Sequence, residues 1–196
     1  LYGGSRRFDD SIYPFEVLAT VRTRLLGKIE KGKTEFSPSG DIYASKFVPW
    51  RNGIVNRIQV YCRVGNDNLE VKVGIFDENW NLLAVSTWQQ TCSTEDPYTG
   101  WIYNGRLPAV EVEAGKTYYL ACQFDPDSSW SRYIYRDSDP GGKIYKLNAW
   151  CDNPGKSLMW SDQSLSIIGV EEEKSFLGMG GITFFRTFTE RIKFKE

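Results

Sequence analysis

Between residues 43 and 124 apolar and polar side chains alternate almost one for one. Ile58, Val60, Cys62 and Val64 interleave with Arg57, Gln59, Tyr61 and Arg63, and Val71, Val73 and Ile75 with Glu70 and Lys72. Tyr118, Leu120, Cys122 and Phe124 interleave in the same way with Thr117, Tyr119, Ala121 and Gln123. A period of two belongs to a strand with one buried and one wet face. The pattern predicts strands at 43–49, 54–64, 69–77, 80–87, 109–113, 117–125, 132–136, 143–151 and 164–170. Asn52-Gly53, Ala114-Gly115-Lys116, Asp139-Pro140-Gly141-Gly142 and Asn153-Pro154-Gly155 punctuate them, since Gly and Asn tolerate positive φ and Pro holds it negative. Phe15 to Leu25 alternate as a long additional strand, and the tail from 181 alternates again through Phe184, Phe188, Ile192 and Phe194. No stretch has a helical period. Short strands at this spacing argue for an all-β chain of antiparallel sheets packed as a sandwich. The segment 92–108 is the longest without alternation and reads as a loop, the kind of element that carries function on a rigid β scaffold.

Composition narrows the functional classes. At 196 residues and 41% hydrophobic content, the chain supports one well-buried core with terminal additions. Its 24 basic and 25 acidic residues leave no long-range field to gather phosphate, so nucleic acid is not the expected partner. No apolar run approaches the roughly 20 residues of a membrane span. There is no His, which removes Ser-His-Asp and Cys-His catalysis and the commonest zinc ligand. An enzyme would have to use carboxylates, Tyr, Lys or Arg, and Glu70, Asp77, Glu111 and Glu113 all sit at ordinary solvated positions. Glu171-Glu172-Glu173 reads as a solvated linker. Of four cysteines, Cys62 and Cys122 point inward, either as two buried thiols or as a bridge. Cys92 and Cys151, at strand ends, are the better disulfide pair.

Several segments together carry a resemblance: Ala44-Ser45-Lys46-Phe47-Val48-Pro49, Gly53 to Tyr61, Val71-Lys72-Val73-Gly74-Ile75-Phe76-Asp77, Val112-Glu113-Ala114-Gly115-Lys116-Thr117-Tyr118-Tyr119-Leu120-Ala121 and Leu165-Ser166-Ile167-Ile168-Gly169. They resemble the jelly-roll β-sandwich modules found beside glycoside hydrolases and in cell-surface and viral surface proteins. The resemblance implies a two-sheet antiparallel jelly-roll sandwich over residues 40–171, preceded by an N-terminal extension (1–39) with one long strand and followed by a C-terminal strand extension (172–196). It also implies an extracellular or surface-exposed, non-catalytic module that binds carbohydrate.

Sugars offer apolar C–H faces and a rim of hydroxyls, so a site needs aromatic planes and bidentate polar groups. If the strands of Cys62 and Cys122 are neighbours, Tyr61 and Tyr119 share an outer face with Gln59, Arg63 and Gln123, and an inward Cys151 turns Trp150 outward onto such a surface. The opposing reading has the terminal strands covering these aromatics. Trp101, Trp130 and Trp160 fall in loops, where a lone Trp usually plugs a core edge but several converging ones form a binding tip. Asp125, Asp127, Asp137 and Asp139 give oxygen-rich loops suited to Ca²⁺, although acidic turns also occur without metal. The competing function is a structural or adhesion module of a virion, fibre or surface layer, whose terminal strands engage other copies of the chain or neighbouring domains.

Overall fold

The structure, a computed structural model, describes residues 17–38, 40–64, 70–90, 99–126 and 132–177. The chain divides into two units, Leu1–Val21 with Glu173–Glu196, and Arg22–Glu172. The tail strand expected from residue 181 lies outside the described residues.

Alternation yields strands and no helix among the described residues. In chain order these are β1 (Val17–Gly27), β2 (Thr34–Phe36), β3 (Ile42–Phe47), β4 (Gly53–Val64), β5 (Glu70–Asp77), β6 (Leu82–Val85), β7 (Gln89–Gln90), β8 (Thr99–Val112), β9 (Tyr118–Phe124), β10 (Arg132–Leu147), β11 (Lys156–Leu165) and β12 (Ile167–Leu177). They form one 12-stranded sheet with the path β1-β12-β4-β10-β3-β9-β5-β6; β2 and β11 pair with β10, β7 with β5 and β8 with β4. The pairings among β2 to β12 are antiparallel.

Two sheets were expected and one continuous path is found, because β10 serves both halves. Its first residues pair with β4 (Ile134 opposite Cys62) and its last with β3 (Leu147 opposite Ile42). Asp139-Pro140-Gly141-Gly142, expected to be a turn, lies inside this strand, where the register against β11 shifts between Ser138 and Lys143. Proline has no N–H to give to a ladder, so an interrupted stretch is where a strand tolerates it. The Asp162 carboxylate accepts the Gly141 N–H there at 3.0 Å.

Within Arg22–Glu172 the sheet curls over its own apolar face. Val55, Ile58, Val60 and Cys62 of β4 join Val71, Val73 and Ile75 of β5 and Leu120, Cys122 and Phe124 of β9 in one core, with Leu25, Ile144 and Ile167. Each of the larger side chains contributes about 1.5–3 kcal/mol by leaving water. The strands of Cys62 and Cys122 are therefore not neighbours; they face each other across this core as free, buried thiols. Burial pushes Cys122 up to about 12, and burial followed by the neighbouring Cys122 pushes Cys62 well up.

Three further expectations change. Residues 99–108, expected as loop, join the expected strand 109–112 in β8, so Trp101 stands on a strand opposite Tyr61. Residues 156–165 form β11, so Trp160 is likewise on a strand. Glu171 and Glu172 belong to β12 and are half-buried in ion pairs. Glu172 meets Arg57 at 2.8 Å and Arg22 at 2.9 Å, and Glu171 meets Arg51 at 3.4 Å.

Candidate functional site

The outward residues of β3, β9 and β5 line up across the sheet. Register places Ala44 opposite Ala121 and Ala121 opposite Gly74, a row of small residues flanked by Lys46, Tyr119 and Phe76 on one side and Gln123 and Lys72 on the other. Small side chains leave a trough, and two indoles from turns fill it. Trp80, from the β5–β6 turn, stacks on Tyr119 with ring centroids 3.8 Å apart and meets Tyr145 edge-on at 5.1 Å. Trp150, from the β10–β11 turn, lies parallel to Phe76 at 6.1 Å. A Cβ on Gly74 would stand 2.5 Å from the Trp150 ring, so only glycine admits the indole there.

The turns holding these indoles are tied down by polar groups. The Asp77 carboxylate accepts the N–H groups of Asn79 (2.8 Å) and Asn81 (2.9 Å), closing the β5–β6 turn, and Trp80 takes a left-handed φ of 67°. The two turns are then joined: Leu82 N–H donates to the Asp152 carboxylate at 2.7 Å, and Asn153 N–H to the Trp80 carbonyl at 2.8 Å. Trp150 donates its indole N–H to Gln123 Oε1 at 2.7 Å, while Gln123 Nε2 donates to the Gly40 carbonyl at 2.8 Å.

Of the expected site, this face gathers Tyr119, Gln123 and Trp150. Tyr119 is a buried floor, its hydroxyl pKa raised by burial and then by Tyr145 and Glu78. Among the described residues the Trp80 indole stacks on it. The accessible elements lie beside it. The Lys72 ammonium sits 5.8 Å from the Trp150 ring and 5.8 Å from the Trp88 ring, and Trp88 is 37% exposed. Next to the β10–β11 turn an open hollow of about 310 Å³ is lined by Asp41, Lys146, Asn148, Lys156 and Ser157 among others. Lys146 pairs with Asp41 at 2.7 Å, and this hydrogen bond raises the Lys146 pKa. Lys156 lies 5.3 Å from the Trp80 ring centre.

Tyr61 and Trp101 are together elsewhere, 5.4 Å apart and both buried, with Tyr135 5.0 Å from Tyr61. The guanidinium of Arg63 beside them lies 4.4 Å from the Tyr133 ring and pairs with Glu35 at 2.7 Å. Gln59 is 4% exposed, and among the described residues its Nε2 has no hydrogen-bond partner. The shared outer face expected for Tyr61 and Tyr119 is thus not formed: β4 has β8, β10 and β12 as neighbours, whereas β9 has β3 and β5. Trp160 packs at a third place, 4.9 Å from Phe36 and 4.4 Å from the Arg136 guanidinium.

Trp130, Asp127 and Cys92 lie outside the described residues. Asp125 follows β9, where its carbonyl accepts from Arg132, and Asp137 accepts the Ser138 N–H. Among the described residues no group of three or more His, Cys, Asp or Glu is placed to hold a metal ion. Cys151 is exposed with a free thiol.

Lys72, Trp88, Trp80 and Lys156 were not singled out from sequence. Lys72 was within reach, because the alternation that turns Gln123 outward also turns Lys72 outward. Trp80 and Trp88 lie between strands, where period two says nothing, and Lys156 begins the exposed edge strand β11. No protein-family model matches this chain, and no curated protein matches it.

Proposed function

We propose that this chain is a non-catalytic carbohydrate-binding module of a cell or particle surface, built on a jelly-roll sandwich whose two faces are the halves of the curled sheet joined through β10. The reading rests on one observation. On the outer face of β5 and β9, an exposed Trp88 and the Trp150 indole bracket Lys72, and Gln123 locks Trp150 in orientation. An aromatic plane held rigidly at a surface costs little side-chain entropy to use and matches the C–H face of a sugar ring, while the polar rim meets its hydroxyls. Of the residues lining the adjoining hollow, Asp41 is the one carboxylate, and it is paired with Lys146, which gives no second acid for glycoside cleavage.

The test is a glycan array followed by titration of the best oligosaccharide with tryptophan fluorescence, comparing wild type with Trp88→Ala and Gln123→Ala. Saturable binding weakened at least tenfold in either variant supports the reading; binding unchanged in both overturns this face as the site.

An adhesion role is the second reading, favoured by β11. Among the described strands it pairs with β10 alone, and it exposes Leu158 (52%) and Met159 (39%), an edge open to strand addition by another chain. A chain that ignores all glycans but self-associates, and becomes monomeric with Leu158→Lys, would favour this role.

A further inference from the structure

Two lysines on this face lie against indoles. Lys156 contacts Asn153 Oδ1 at 3.3 Å and lies over the Trp80 ring. Lys72 lies between the Trp88 and Trp150 rings. Among the described residues neither makes an ion pair, although Lys146 in the same hollow is neutralised by Asp41. A cation resting on an indole is partly stripped of water while keeping its full charge. The two positions are also linked. Lys72, Trp150, Phe76, Trp80 and Lys156 form a chain of consecutive contacts, none longer than 6.1 Å. The hollow beside Lys156 adds the Asn148 amide and the Ser157 hydroxyl. At about 310 Å³ it is at the small end of ligand sites, ~300–1,000 Å³, so it fits one compact unit and not a length of chain.

We infer that this face selects an acidic glycan: the hollow takes a sugar residue bearing a carboxylate, of the uronic or sialic acid class, whose carboxylate is received by Lys156, while Lys72 receives an acidic group of the neighbouring residues stacked along Trp150 and Trp88. The inference rests on the carbohydrate-binding reading and adds the class of sugar. A neutral sugar offers these cations only hydroxyls, whereas a carboxylate gives them charge-assisted hydrogen bonds about twice as strong. The exposed contacts are screened by salt, so affinity falls as ionic strength rises.

The experiment titrates the whole chain with tetragalacturonate, its methyl ester, sialyllactose, lactose and polyglutamate, at low and at 0.5 M salt. Wild type is compared with Lys156→Gln, Lys72→Gln and, as a control away from the face, Lys116→Gln. At least tenfold tighter binding of one acidic sugar than of its neutral counterpart, lost in Lys156→Gln and kept in Lys116→Gln, supports the inference; which acid is preferred separates the uronic from the sialic source. Equal binding of acid and neutral partner overturns the inference and leaves the carbohydrate reading standing. Equal binding of polyglutamate reduces the face to an unselective cationic patch and overturns the inference. No binding of any saccharide overturns both.

Discussion

The Trp80 indole lies 3.8 Å from the Tyr119 ring, inclined by 19°, although its own backbone is left-handed at φ 67°. An L-residue pays about 1–2 kcal/mol for that conformation, and truncating a buried Trp costs about 3–5 kcal/mol. The packing therefore outweighs the strain. Trp80→Gly, which relieves the backbone and loses the ring, should lower stability by about 2–3 kcal/mol in urea unfolding, and Trp80→Ala by about 3–5 kcal/mol. A glycine variant as stable as wild type would mean that the indole contributes no more than the ~1–2 kcal/mol of backbone strain it carries.

Gly74 gives the second prediction. The Cβ of an alanine would stand 2.5 Å from the Trp150 ring and 3.0 Å from the Ala84 carbonyl. Gly74→Ala should displace Trp150, break its hydrogen bond to Gln123, and cost about 1–3 kcal/mol as an overpacked site. Fluorescence emission should shift to the red; an unshifted spectrum would count against the tight seat.

The third prediction concerns acid. Burial on its own raises the Glu172 carboxyl, but the hydrogen bond from Arg22 and the charge and hydrogen bond of Arg57 outweigh it and hold the pKa below the ordinary 4.5. A lowered folded-state pKa means stabilisation that is complete above the unfolded-state value and disappears as pH falls through the folded one. The urea midpoint should hold from pH 7 to about 5 and drop below the ordinary carboxylate range. Glu172→Gln should flatten that acid limb. At pH 7 it should cost about 3 kcal/mol, since Arg57, 3% exposed, loses a carboxylate partner. An acid limb identical in both proteins would dismiss the pair as its source.

Thiol chemistry supplies the fourth. The thiolate is the reactive form, and burial keeps Cys62 and Cys122 protonated. Alkylation of the native protein at pH 8 followed by peptide mass mapping should label Cys151 and leave Cys62 and Cys122 untouched until denaturant is added. Native labelling of Cys122 would mean that the core opens far more readily than its packing implies.

Alternation made β4, β5 and β9 readable with their faces, and Ile58, Cys62, Leu120 and Cys122 lie in the core as their positions require. It carries no information on which strand lies beside which. Tyr61 and Tyr119 both point outward, yet β10 and β3 stand between their strands in the sheet. The first part of β8 was hidden because Gly100, Gly105 and Pro108 interrupt its pattern and its register against β4 shifts twice. β11 was hidden for another reason: as an edge strand it is exposed over most of its first half, so there is no buried face to mark it. Gln123 could be read as outward from its strand, but its partner Trp150 comes from a turn that only the folded chain brings back over the sheet.

The double duty of β10 bears on how the chain reaches this state. Its ladders run to β2, β3, β4 and β11, which lie up to about a hundred positions away in the chain. Neither half of the sheet has a complete hydrogen-bonded border until that strand docks. Partial structures therefore gain little, and the loop-closure entropy of distant pairings must be met before their enthalpy is collected. Refolding of Arg22–Glu172 should accordingly be slow, on the millisecond-to-second scale of non-local β topologies, and its equilibrium unfolding a single transition shared by both halves.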